Sequence, residues 1–214
     1  TLACDLKPEG EALAIIAESL PQLAERLDAA LAALPDGQIA VKGVYYTETP
    51  LLCEPGAKLA LLFPGQGSQY PGMLRELGVF LPEFQTGLER ADAVFAKTPT
   101  GRRTLPTPLS GLIDPPRRFI EDEANTHRAN LTRTEVAQPS LGAVAASLWA
   151  WLKRLELRPE LAAGHSYGEY VALHAAGVWP LETLLELSEA RGRFIVEAAA
   201  GGELGTMLAV AADR

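Results

Sequence analysis

Cysteine, histidine and long apolar runs are all scarce in this sequence, and each scarcity removes a class of protein. The two cysteines, Cys4 and Cys53, are too few for a disulfide framework, which points to a reducing, cytoplasmic setting. The three histidines, His127, His165 and His174, share no ligand spacing with those cysteines, so no metal site is expected. No apolar run approaches the roughly 18–20 residues that span a bilayer. The opening Thr1-Leu2-Ala3-Cys4-Asp5 lacks the basic segment and apolar core of a secretory signal. An initiator methionine is also missing, from which a piece of a longer chain is expected. Basic residues are outnumbered, 19 Lys and Arg against 27 Asp and Glu, giving a net charge of −8. Nucleic acid is not the partner such a chain recruits.

What is present suits one ordinary core with a smaller appendage: 214 residues, 48 % hydrophobic and 21 % charged. Residues 9–34 are rich in Ala, Leu and Glu at helical spacing and predict a helix, with Pro21 splitting it and Ser19 near the break. Ile39–Tyr46 is β-branched and aromatic, a strand. Proline and glycine punctuate Pro50–Gly56, which marks a boundary between a region 1–56 and the rest.

Lys58–Phe63 is a short continuous apolar run, the pattern of a strand buried on both faces of a parallel sheet. It leads into Pro64-Gly65-Gln66-Gly67-Ser68-Gln69. That loop lacks Gly-x-Gly-x-x-Gly spacing and a following lysine, so it supports no nucleotide site and alone reads as a plain strand-to-helix connection. Helices are expected around Gly72–Leu77 and Pro82–Lys97, irregular chain over Pro99–Pro116, and solvated polar surface over Arg117–Arg133. Val136–Leu155 predicts a long buried helix whose Ala137, Gly142, Ala143, Ala145 and Ala146 permit close packing, with Trp149 and Trp151 as core contacts. Leu161–Ala163 is a further strand, Tyr170–Ala176 is a helix, Leu181–Ala200 is a helix ended by Gly201-Gly202, and Thr206–Val210 begins another strand. Strands alternating with helices give an α/β fold, a parallel sheet flanked by helices.

The densest chemistry lies in Gly164-His165-Ser166-Tyr167-Gly168-Glu169. A serine flanked two positions away by glycines, between a strand and a helix, is the pattern of a nucleophile elbow. The glycines let strand and helix close on each other, and the helix start favours an anion beside the serine. An inert serine in a tight turn fits the same letters. A nucleophilic serine needs a base, and no histidine here offers one. His165 is the adjacent residue and diverges from Ser166, His174 lies further along the same helix, and His127 falls in the polar segment. His165 and His174 are therefore read as structural.

Four segments together resemble the malonyl-CoA:acyl carrier protein transacylase family: Leu62-Phe63-Pro64-Gly65-Gln66-Gly67-Ser68-Gln69, Ala137-Gln138-Pro139, the Ser166 elbow, and Arg191-Gly192-Arg193. Their order and spacing match over about residues 58–210. Leu131–Leu148 and Tyr167 most resemble acyltransferase domains of iterative synthases of the enediyne polyketide or polyunsaturated-fatty-acid type. The resemblance implies a hydrolase-like acyltransferase core over 57–204. It also implies a ketosynthase-to-acyltransferase linker over 1–56 and the start of a truncated ferredoxin-like subdomain over 205–214. It implies Ser166 as nucleophile, the backbone N–H groups of Gln66 and Tyr167 as oxyanion hole, and Arg191 as the clamp on the malonyl carboxylate. Gln138 and His165 are implied near the pocket, His165 supporting the elbow.

The family's catalytic histidine would fall beyond Arg214, so activity is expected to need a C-terminal remainder of the domain. That remainder is either a second polypeptide or missing because the chain is cut short. The implied partners are malonyl-CoA, the phosphopantetheine of an acyl carrier protein, a ketosynthase of the same polypeptide and that remainder. No cofactor is implied, since the coenzyme A thioester is a substrate. Two other readings use the same residues. An α/β-hydrolase esterase shares Gly-x-Ser-x-Gly but leaves Gly65–Gln69 and Arg191 unexplained. A non-catalytic docking fragment, completed by its C-terminal complement, accounts for the missing base.

Overall fold

A computed structural model describes residues 10–36, 40–103, 108–116 and 121–199. The chain divides into two compact units, Thr1–Leu59 and Ala60–Arg214. In the first, strand β1 (Ala12–Ile15) pairs antiparallel with β2 (Val44–Thr47), Ala12 opposite Thr47 and Ile15 opposite Val44. Helix α1 (Leu20–Ala33) connects them, with Pro21 in its first turn. Ser19 caps it, its side chain accepting the Gln22 N–H at 3.3 Å.

Pro21 and Ser19 thus mark a helix start. The segment before them is a strand, against the helix expected from residue 9 onward. Its Ala and Leu favour helix locally, but the ladder to Val44–Thr47 supplies backbone partners that a two-turn helix ahead of a proline lacks. The second strand is also shorter than Ile39–Tyr46, because Gly43 takes a left-handed conformation (φ +84°) that turns the chain just before Val44.

The second unit is built around α7 (Thr134–Arg154), whose Val136, Ala137, Leu141, Ala143, Val144, Ala146 and Trp149 are buried. It packs between α3 (Pro82–Phe95) and α9 (Leu181–Ala199). Leu184 and Leu185 of α9 are 0 % and 2 % exposed; each contributes about 1.5–3 kcal/mol by leaving water. Short helices α2 (Arg75–Phe80), α4 (Pro99–Arg103) and α5 (Leu109–Ile113) frame this core, with α6 (Glu121–Thr132) along its surface.

The ordered α4 and α5 replace the irregular chain expected over Pro99–Pro116; residues 104–107 lie outside the described set. Side-chain bonds hold both. The buried Glu189 accepts the Thr100 N–H at 3.1 Å and its hydroxyl at 2.5 Å, and Asp92 accepts the Ser110 N–H at 2.8 Å. The predicted glycine stop at 201–202 and the strand Thr206–Val210 also lie outside the described residues.

Strand β3 (Ala60–Phe63) pairs parallel with β4 (Leu161–Gly164), Phe63 opposite Gly164. Helix α8 (Gly168–Ala175) packs against both strands. The apolar run does not make β3 buried on both faces: Leu62 is 77 % exposed and Leu161 54 %. Among the described residues helices cover one face, and a run of apolar letters does not say how many faces are covered. No helix among the described residues is long and apolar enough to cross a membrane.

Candidate active site

The end of β4 and the start of α8 meet in a turn with Ser166 at its tip. The His165 N–H donates to the Phe63 carbonyl at 3.0 Å, which carries the parallel ladder one residue past the strand. Ser166 then adopts φ +54°, left-handed and costly for a residue with a side chain, by about 1 kcal/mol or more. The surrounding bonds hold it there: Gly168 N–H to His165 O at 2.9 Å and Glu169 N–H to Ser166 O at 3.2 Å. A Cβ on Gly164 would strike the Gly168 backbone, and one on Gly168 would strike the Phe63 carbonyl. The sharp turn therefore requires both glycines, and Ser166 is left exposed beyond it.

The loop after β3 lies against this turn. A Cβ on Gly65 would sit 2.6 Å from the His165 carbonyl oxygen and 3.3 Å from the Ser166 Cβ. Ser68 ties the loop back, its hydroxyl donating to Gly65 O at 2.9 Å, and Gly67 N–H donates to Gln69 Oε1 at 2.8 Å. The Gln66 side chain is held by the start of α7. Its Nε2 donates to Thr134 Oγ1, and its Oε1 accepts from Gln138 Nε2, both at 3.1 Å. Gln138 is 1 % exposed. Neither the Gln66 nor the Tyr167 backbone N–H has an acceptor among the described residues.

Tyr167 points the other way, into the core, and is fully buried. Its hydroxyl shares a 2.7 Å hydrogen bond with Ser188, whose Oγ donates to Leu184 O at 2.5 Å. Burial pushes that hydroxyl well above the ordinary phenol range, against opposing effects of the Ser188 bond and the Arg191 charge. Its ring stacks on Tyr170, centroids 6.1 Å apart and planes 18° from parallel. The Arg191 guanidinium lies over the Tyr170 ring, 5.6 Å from its centroid.

Among the described residues Arg191 has no carboxylate within ion-pair distance, whereas Arg193 binds Glu189 at 3.1 Å and Glu197 at 3.2 Å. Of the two arginines in Arg191-Gly192-Arg193, the second is occupied by carboxylates of its own helix. A separate apolar groove of about 310 Å³ lies beneath the first loop, lined by Leu61, Phe63, Tyr70, Met73, Leu148 and Trp149, and does not reach Ser166.

Residues 60–214 match the acyl transferase domain family. The chain belongs to that family. It is 41 % identical over 155 residues, 72 % of its length, to a type I polyketide synthase of phenolphthiocerol synthesis, Pks15/1, from Mycobacterium marinum, and covers 6 % of that protein. It is 37 % identical over 154 residues to the malonyl CoA-acyl carrier protein transacylase of Bacillus subtilis, covering 72 % of this chain and 42 % of that one. Among solved structures, the acyltransferase domain from the second module of the salinomycin polyketide synthase superposes with a TM-score of 0.65 at 32 % identity. That overlap covers 86 % of this chain and 37 % of the domain. The chain thus spans less than half the length of each of these relatives.

Against this family background the four resembling segments fall in the second unit and converge. Gly65 abuts Ser166, Gln138 holds Gln66, and Tyr170 connects the elbow helix to Arg191. His165 is exposed beside Gly65. His174 bonds through Nδ1 to the Trp179 carbonyl at 2.9 Å, a structural contact. His127 is on α6. Ser166 Oγ has no hydrogen-bond partner among the described residues. Sequence reasoning missed Thr134, Tyr170 and Ser188. Thr134 was within reach, since it precedes Gln138 by four residues and so shares its helix face. Ser188 and Tyr170 act through contacts between separate helices and carried no local signal.

Proposed function

We propose that this chain carries the nucleophile portion of an acyltransferase that moves a malonyl group from coenzyme A to an acyl carrier protein, in polyketide or fatty-acid biosynthesis. Ser166 Oγ attacks the thioester carbonyl, the C–S bond breaks, and coenzyme A leaves as its thiol, giving a malonyl-serine ester. The carrier's phosphopantetheine thiol then attacks that ester and Ser166 regains its proton. The developing oxyanion is taken by the Gln66 and Tyr167 backbone N–H groups. Arg191 pairs with the free carboxylate of malonate through its planar fork of donors. The base is a histidine supplied by the remainder of the domain beyond Arg214, and activity needs that remainder.

The observation that supports this best is Ser166 held at φ +54° against the Gly65 loop. An arginine with no carboxylate partner among the described residues, on the helix packed beside the elbow, favours a donor with its own carboxylate over a neutral ester. In a multidomain synthase residues 1–56 serve as the linker from a ketosynthase, and a tethered carrier reaches the serine through high effective concentration. Substrate choice tests the proposal in the complete domain. Malonyl transfer from coenzyme A to a carrier thiol, with slow turnover of p-nitrophenyl esters, supports it. Fast p-nitrophenyl ester turnover without malonyl loading contradicts it and favours an esterase.

A further inference from the structure

We propose that Tyr170 is a positioning residue for Arg191, an aromatic ledge that presents the guanidinium to a carboxylate-bearing donor and so sets the preference for malonyl over acetyl groups. This rests on the transferase reading above. The guanidinium lies 5.6 Å from the Tyr170 ring centroid, within the range of a cation–π contact. Among the described residues no carboxylate pairs with Arg191 and fixes its direction. A contact with a ring spends no N–H donor on a carboxylate, so the fork that grips a carboxylate in two parallel bonds stays available.

The ledge is itself braced by two further rings. Tyr167 stacks beneath Tyr170 at 6.1 Å and is anchored through its hydroxyl to Ser188. Trp179 leans on Tyr170 with centroids 5.9 Å apart, and its loop is held by its carbonyl, which accepts from His174 Nδ1 at 2.9 Å. Tyr167 directly follows Ser166, so one stack of rings connects the nucleophile to the arginine. Tyr170 follows Tyr167 by three residues on the same helical turn, which puts the two rings on one side of the elbow. The placement of Arg191 relative to Ser166 therefore depends on Tyr170, and His174 finds its use in bracing that ring rather than in proton transfer.

The test compares wild type, Tyr170→Leu, Tyr170→Phe and Arg191→Ala in the full-length protein, with two readouts. The first is the ratio of malonyl to acetyl loading from the two coenzyme A thioesters. Tyr170→Leu lowers this ratio by roughly 3- to 30-fold, the range a cation–π contact allows, while Tyr170→Phe keeps it because the ring face remains. Adding Tyr170→Leu to Arg191→Ala lowers it no further. The second is modification of Arg191 by phenylglyoxal, followed by peptide mass spectrometry, which becomes faster in Tyr170→Leu and stays slow in Tyr170→Phe.

An equal fall in malonyl and acetyl loading in Tyr170→Leu would mean a general structural role and overturn the proposal. Unchanged Arg191 modification in Tyr170→Leu contradicts the ledge alone. A wild-type protein that loads neither donor contradicts the transferase reading and removes the donor preference with it.

Discussion

The Tyr167 hydroxyl occupies the place that a side chain at Gly142 would fill. A Cβ built on Gly142 meets that oxygen first, with Ser188 Oγ 3.5 Å away. The glycine lets Tyr167, the residue after Ser166, reach across α7 to Ser188, so the elbow is pinned to the core through its neighbour. Gly142→Ala is expected to overpack this contact and lower stability by about 1–3 kcal/mol. Thermal unfolding checks it, and Tyr167→Phe, which deletes the obstructing oxygen, should recover much of the loss in the double variant.

The same hydroxyl predicts an alkaline limit on stability. Its folded-state pKa lies above the ordinary 10.0, chiefly through burial. Above about pH 10 the unfolded chain releases this proton while the folded chain keeps it, so stability is full below that pH and falls as pH rises, at about 1.4 kcal/mol per unit. Denaturant unfolding at about pH 9 and pH 11 measures the fall. Tyr167→Phe should remove this share of the slope.

The side-chain clamp on Gln66 gives a kinetic prediction. Thr134→Val and Gln138→Leu each remove one of the two 3.1 Å bonds that hold the Gln66 amide. A loosened loop aims its N–H poorly at an oxyanion, a loss felt in the transition state more than in substrate binding. Malonyl loading in the complete domain should slow roughly tenfold in kcat with KM little changed. A change confined to KM would place these residues in donor binding instead.

Removing the arginine should be felt in donor choice. Arg191→Ala deletes the cation over Tyr170 without disturbing the Arg193 pairs with Glu189 and Glu197. Preference for malonyl over acetyl thioesters should fall on the order of 10- to 100-fold, the size of a desolvated charge-assisted pair. Unchanged donor selectivity would remove Arg191 from the site.

The elbow was legible because its information is local. Two glycines, a serine and a strand-to-helix transition fall within a few residues, and the turn geometry leaves few other sequences possible. Helix α7 was legible for a similar reason, since small and large apolar residues recur along one long segment. What the letters hid was decided at a distance. Ala12–Ile15 carries helix-prone residues yet forms a strand, because its partner Val44–Thr47 lies on the far side of α1. The apolar letters of β3 said nothing about which faces would be covered, and Leu62 is open. Within the site, Ser166, Gln66 and Arg191 stand out by motif. Tyr170 and Ser188, which contact Arg191 and Tyr167, look like ordinary helix residues until the helices are packed.

Intact-mass analysis of the complete domain before and after malonyl-CoA asks whether Ser166 takes up an acyl group. If it does, a malonyl-sized gain maps to the peptide containing Ser166, disappears on addition of a carrier thiol, and is absent in Ser166→Ala. A gain that persists in Ser166→Ala, or no gain in a folded wild-type domain, would contradict it.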